Sequence, residues 1–141
     1  MFSAGTFWIF LLAAAAAWAF GAAYYTLLGK AWLGAQGLTP ERLMAERGKR
    51  SSLMNVYPFV LSFVAEVVIA WVLCGMMLHM GMSGARAGMI SGAFVWFGFV
   101  LTTIAVNNAY TFRSWKITTI DAIHWLGVFI IIGAVVGGLS R

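Results

Sequence analysis

Glu66, Asp121 and His124 are the residues whose types and setting could do chemistry, because each lies within a long apolar run of this 141-residue chain. A carboxyl and an imidazole together suit proton carriage, since histidine titrates near neutrality and the carboxyl offers a second exchangeable proton. Asp121 and His124 stand at i, i+3 and share a helical face, with Thr118 and Trp125 on or near it. The alternative use of the same groups is plain hydrogen bonding across a helix interface, which fixes packing. Glu66 falls about ten residues into its run and His124 a similar distance into another, roughly 15 Å at 1.5 Å per residue. The two are therefore expected at matching depth. Asn107 and Asn108 close a third run on that side, and Tyr24 and Tyr25 close the first. All four runs thus lend polar atoms to one half of the molecule. A divalent ion would find two carboxylates and one imidazole here. The repeated Glu-x-x-His of di-iron bundles is missing, however, and Asp121-Ala-Ile-His124 supplies the spacing once only.

A second constellation is soft. Cys74, Met76, Met77, His79, Met80, Met82 and Met89 cluster in sequence, and Met76 and Met80 at i, i+4 share a face, as a Cu(I) path would need. Methionine is also an ordinary gap-filler of apolar cores, and that use is the expectation. No metal and no cofactor is expected. Ser62 lies one turn from Glu66, but no Gly-x-Ser-x-Gly elbow accompanies it, and no Walker or dinucleotide glycine motif is present. The chain reads as a non-enzyme.

The elements that must carry these groups are membrane spans. Segments free of Lys and Arg cover roughly 5–28, 56–80, 88–110 and 117–139, each longer than the ~20 residues a helix needs to cross ~30 Å of hydrocarbon. In lipid every backbone polar group must be satisfied internally, so spans of this kind are helices. Charged residues are 9 % of the chain, against about 25 % in soluble domains, which leaves almost no soluble portion. The fold expected is all-α: one domain, residues 1–141, an integral membrane four-helix bundle. The first run lacks a positive leader and exceeds the length of a signal-peptide core, so it is expected to stay. Cys74 is the sole cysteine, and no intrachain disulfide can form.

Seven of the nine basic residues, Lys30, Arg42, Arg47, Lys49, Arg50, Arg113 and Lys116, fall in the two loops of one side. Arg86 and Arg141 belong to the other. The positive-inside rule puts the seven in the cytoplasm and both termini outside. The net charge of +5 is then matched to anionic headgroups rather than nucleic acid. In the first loop Thr39-Pro40-Glu41 is a helix start, with Thr39 as N-cap. Residues 40–49 follow as a short interfacial helix with Leu43 and Met44 on one side and charge on the other.

Gly84, Gly88 and Gly92 recur every four residues, and Gly133 and Gly137 repeat the spacing in the last run. Small residues so placed let two helices approach closely. The spacing leaves open whether the contact is within the chain or between copies, and the first stripe is long enough to support an oligomer.

Several local patterns converge on a family. Gly21-Ala-Ala-Tyr24-Tyr25 leads to Gly29-Lys30-Ala-Trp32 and Gly37-Leu-Thr39-Pro40-Glu41; later, Trp96-Phe-Gly98-Phe99 leads to Asn107-Asn108, Trp115-Lys116 and Ile120-Asp121-Ala122. The chain resembles the bacterial domain-of-unknown-function 1761 family of small four-span membrane proteins, from the end of the first span to the end of the fourth. Thr26-Leu27 stand where a Ser-Pro pair often follows the aromatic pair in that family. The resemblance implies a multi-pass fold in the bacterial inner membrane and no assigned activity. Two functions are expected to compete. One is a non-enzymatic membrane component that assembles with itself or with other membrane subunits; the other is a minimal proton-linked carrier or channel built on Glu66, Asp121 and His124.

Overall fold

The computed structural model describes residues 4–140, with side chains from residue 7 onward, so Arg141 lies outside the described residues. The described chain is all helical: α1 (Ala4–Ala35), α2 (Pro40–Gly48), α3 (Ser52–His79), α4 (Ala85–Val95), a π-helical stretch (Trp96–Leu101), α5 (Thr102–Tyr110) and α6 (Trp115–Leu139). The helix from Ala85 to Tyr110 is continuous, so four helices are long and apolar enough to cross a membrane. They pack as a bundle in which the two loops 36–51 and 111–114 lie at one end, the loop end. The turn 80–84 and the end of α6 lie at the other, the terminal end.

The span boundaries differ from the charge-free runs. α1 passes through Lys30 and continues to Ala35, because a lysine near a helix end extends its ammonium along the surface and leaves the backbone intact. It stops at Gly37, which adopts φ +69° while Leu38 N–H reaches back to Leu33 C=O at 3.0 Å. α3 starts at Ser52, four residues before the apolar run, since the Ser51 side chain accepts from Met54 N–H at 3.3 Å and caps it. Pro58 sits inside α3 and supplies no N–H of its own. In α2 Thr39 caps the helix by accepting from Arg42 N–H, and Pro40 takes the first position. Hydrogen bonds from its own backbone amide and from Thr39 hold the exposed Glu41 carboxyl below its ordinary value. No residue of α2 is buried.

α6 is the hub. It packs against α1, α3 and α4, and less closely against the π-helical stretch and α5. The core lies where three helices meet: Phe10, Ala13 and Ala17 of α1, Ala70, Leu73 and Cys74 of α3, and Val128, Ile132 and Val136 of α6. The glycine stripes account for α4. A Cβ on Gly88 would collide with the carbonyl of Gly133, one on Gly133 with the carbonyl of Gly88, and one on Gly92 with the carbonyl of Phe129. Gly84, at φ +96°, donates its N–H to Gly137 C=O at 2.8 Å. The two stripes thus face each other inside one chain, and they are not the surface through which copies could meet.

The third span leaves α6 as it runs toward the loop end. Contact is intimate along α4 and sparse beyond Trp96. Only 11 % of its most apolar window is buried, against 44 % for α6. The change coincides with the π-helical stretch, where the widened turn is met by Thr102, whose hydroxyl donates to Gly98 C=O at 2.9 Å.

Candidate functional site

The polar residues separate into three groups. The largest joins α1 to α6 near the loop end. Asp121 Oδ1 accepts from the Tyr25 hydroxyl at 2.8 Å and from Trp32 Nε1 at 2.9 Å. One residue back on each helix the Tyr24 hydroxyl donates to Ile120 C=O at 2.9 Å. Two neutral aromatic donors on one carboxylate oxygen, in a half-buried setting, form a strong and directional tie. Trp32 was beyond the first charge-free run, so the apolar pattern alone does not bring it to Asp121. The helix extension to Ala35 does.

His124 lies one turn deeper, 8 % exposed, inside an aromatic box. Phe20 runs parallel to its ring with centroids 6.1 Å apart, and Tyr25, Trp125 and Tyr24 surround it at 4.8, 5.4 and 5.5 Å. Gly21 forms the remaining wall: a Cβ there would come within 2.8 Å of Nε2. The imidazole therefore abuts the α1 backbone, and its Nδ1 is buried with no hydrogen-bond partner among the described residues.

A second group joins the third span to α6. Trp96 Nε1 donates to Ala122 C=O at 2.9 Å, and Asn108 Nδ2 donates to Thr118 Oγ1 at 3.0 Å. Asn107 points elsewhere: it is exposed, and its backbone carbonyl accepts from both the N–H and the hydroxyl of Thr111. Trp96 is a tie between helices that reasoning from ionisable groups does not find, although it stands in the motif that carried the family resemblance.

Glu66 is the third group, and it stands apart. It is 2 % exposed, and Oε2 has no hydrogen-bond partner among the described residues. It shares a face of α3 with Ala70, Leu73 and Met77, the face turned to α1 and α6. Matching depth with His124 does not hold. Cys74 Sγ meets Ser140 Oγ at 3.4 Å and Met77 Cε approaches Gly137, a register that sets Glu66 level with roughly residues 126–132 of α6. Counting from the helix starts Ser52 and Trp115 gives the same result. At 1.5 Å per residue Glu66 lies about 21 Å in and His124 about 14 Å in. No hydrogen bond or ion pair among the described residues links Glu66 to His124 or Asp121.

The soft residues are dispersed. Cys74 is fully buried against Ser140, whereas Met76, His79 and Met80 are exposed, and His79 Nδ1 is engaged with Gly75 C=O at 2.9 Å. Among the described residues no group of three or more His, Cys, Asp and Glu side chains converges as a metal site would require.

The fold and these sites define a small all-helical protein of the multi-pass membrane type, with Tyr24, Tyr25, Trp32, Trp96 and Asn108 used between helices. The chain belongs to the family described as protein of unknown function (DUF1761), whose model matches residues 8–137. No curated protein and no solved structure matches it. Six of the residues that carried the family resemblance, Tyr24, Tyr25, Trp32, Trp96, Asn108 and Asp121, tie α1 and the third span to α6.

Proposed function

We propose that the protein is a non-enzymatic component of the bacterial inner membrane that assembles with itself or with other membrane subunits. One observation carries this reading. The third span is seated almost entirely on α6, and Phe94, Phe97 and Phe99 of its outward surface are exposed. A helix seated mainly on one neighbour, and only lightly on α3, leaves room for another. The polar motif residues support the same reading, because they are consumed as ties between helices rather than gathered round an open space. The test is isolation from native membrane in a lipid nanodisc, followed by intact-mass measurement. The expected result is a defined oligomer or a stoichiometric partner that photo-cross-links to position 97. A lone monomer would retire the proposal.

The proposed topology puts both termini outside, with α2 lying on the inner headgroups and Arg42, Arg47, Lys49 and Arg50 towards anionic lipid. The seven-to-two distribution of basic residues supports it. In a Cys74→Ala background, Ser83→Cys should react with an impermeant thiol reagent in intact cells and Glu46→Cys should not. The reverse pattern would invert the orientation.

A second reading, a proton-linked carrier, is favoured by one specific observation: Glu66 Oε2 and His124 Nδ1 are buried without partners among the described residues. Buried polar groups are normally paired, and ionisable groups at membrane depth are functional candidates by default.

A further inference from the structure

We infer that Glu66 is a proton-binding site served from the loop end of the bundle alone, closed from the terminal end by a dry apolar plug. This deepens the proton reading of Glu66 by naming the side from which it is filled. It concerns binding, so it stands or falls separately from net transport.

A carboxylate in a water-poor interior needs a counter-charge or several hydrogen bonds, or else a proton of its own. Glu66 has no cation within ion-pair reach among the described residues, and its Oε2 accepts nothing. The helices packed against it supply little charge. The buried α1 side chains on this seam, Ala13 and Ala17, are apolar, Trp18 beside them donates its indole N–H to Phe59 C=O of α3 at 3.2 Å, and the titratable groups of that helix, Tyr24, Tyr25 and Lys30, lie toward the loop end. On α6 the titratable groups are His124 and Asp121, and Lys116 at the loop-end start is exposed. On α3 itself Tyr57 and His79 are exposed, and Cys74 is turned to Ser140. On α4 Arg86 is exposed at the terminal end. A proton on Glu66 is the neutralisation that this setting offers.

The two directions out of the site differ. Toward the terminal end the seam is filled by Phe10, Ala70, Leu73, Cys74, Ile132 and Val136, all nearly or fully buried. Among the described residues nothing along that stretch offers water a pair of polar partners before Cys74 and Ser140, and a buried water needs two to four. Toward the loop end polar atoms recur at successive depths. Ser62, one turn below Glu66, is partly buried, with its hydroxyl donating to Phe59 C=O. His124 follows about 7 Å nearer the loop end, with Nδ1 unpartnered, and the half-buried Asp121 comes one turn beyond it. Imidazole can accept a proton on one nitrogen and release one from the other, so His124 is placed as the intermediate stop. The proton moves from water at the loop end to His124 and then to Glu66; no other species is consumed.

The test uses the full chain in phosphatidylethanolamine–phosphatidylglycerol vesicles, with orientation scored by Glu46→Cys accessibility. A membrane-permeant carbodiimide forms a stable adduct with a protonated buried carboxyl, and peptide mass spectrometry locates it. The expected adduct is on Glu66. Its rate of formation should fall about tenfold per pH unit once the carboxyl is mostly ionised, and only when the loop-end compartment is made alkaline. His124→Gln should slow the response to that compartment without moving the adduct. Infrared titration of wild type against Glu66→Gln gives a second measurement, since one protonated-carboxyl band should vanish. Labelling that follows the terminal-end compartment, or that ignores both, overturns the inference. So does an infrared spectrum that Glu66→Gln leaves unchanged. Absence of net proton flux with the expected labelling retires the carrier and supports the one-sided site.

Discussion

Gly88→Ala should loosen the third span from α6 and lower stability by about 1–3 kcal/mol, the usual cost of forcing extra atoms into a filled contact. The reason is geometric. The added methyl would occupy the position of the Gly133 carbonyl, and a backbone cannot turn aside as a side chain can. The helices must part, and the Gly84 N–H to Gly137 C=O hydrogen bond at 2.8 Å is stretched with them. Gly88→Leu should be worse, and Gly133→Ala should resemble Gly88→Ala because it meets the reciprocal carbonyl. Gly98→Ala is the control: a Cβ there has nothing within 4 Å, so stability should hold. Reversible unfolding in mixed micelles measures all four. If Gly88→Ala matches wild type in stability but loses an oligomer, the stripe belongs between chains and the internal contact is wrong.

The features imposed by the bilayer were the legible ones. Length and apolarity are properties of a run, so four spans could be read from the absence of charge. Their ends could not, because Lys30 continues a helix and Ser51 begins one by capping, and neither effect depends on hydropathy. The i, i+4 glycines declared a face, but a spacing carries no information on which helix covers it. Tyr25 and Asp121 could be assigned to the same half, while their hydrogen bond needed the register of α1 against α6. Glu66 lies deeper than its place in the apolar run suggests, because α3 starts at Ser52, before that run begins. The π-helical stretch at Trp96–Leu101 left no mark in composition, since widening one turn changes backbone pairing and not residue type. The soft residues show the converse error. Cys74 and Met76 are neighbours in sequence, yet an α-helix turns about 100° per residue, and two positions apart they face opposite ways.

Asp121→Leu is expected to have the largest effect in the loop-end half. It leaves the Tyr25 hydroxyl and the Trp32 N–H without an acceptor in a half-buried seam, and each orphaned donor costs about 1–3 kcal/mol. Asp121→Asn should be much milder, because the amide oxygen can still accept both bonds and only the charge is lost. The assignment of the loss to this tie can be checked by a double-mutant cycle. Tyr25→Phe alone removes one donor and should destabilise by about 1 kcal/mol, yet in the Asp121→Leu background it should cost little, since the bond is already gone. Strict additivity would mean that Tyr25 and Asp121 act independently. The cycle also bears on function. If Asp121 serves only to dock α1 on α6, Asp121→Asn should leave the proton response of Glu66 intact. If the carboxylate itself passes protons to His124, Asp121→Asn should slow that response while the fold stays whole. The geometry favours docking, because Oδ1 already accepts two neutral donors and is held in place by both.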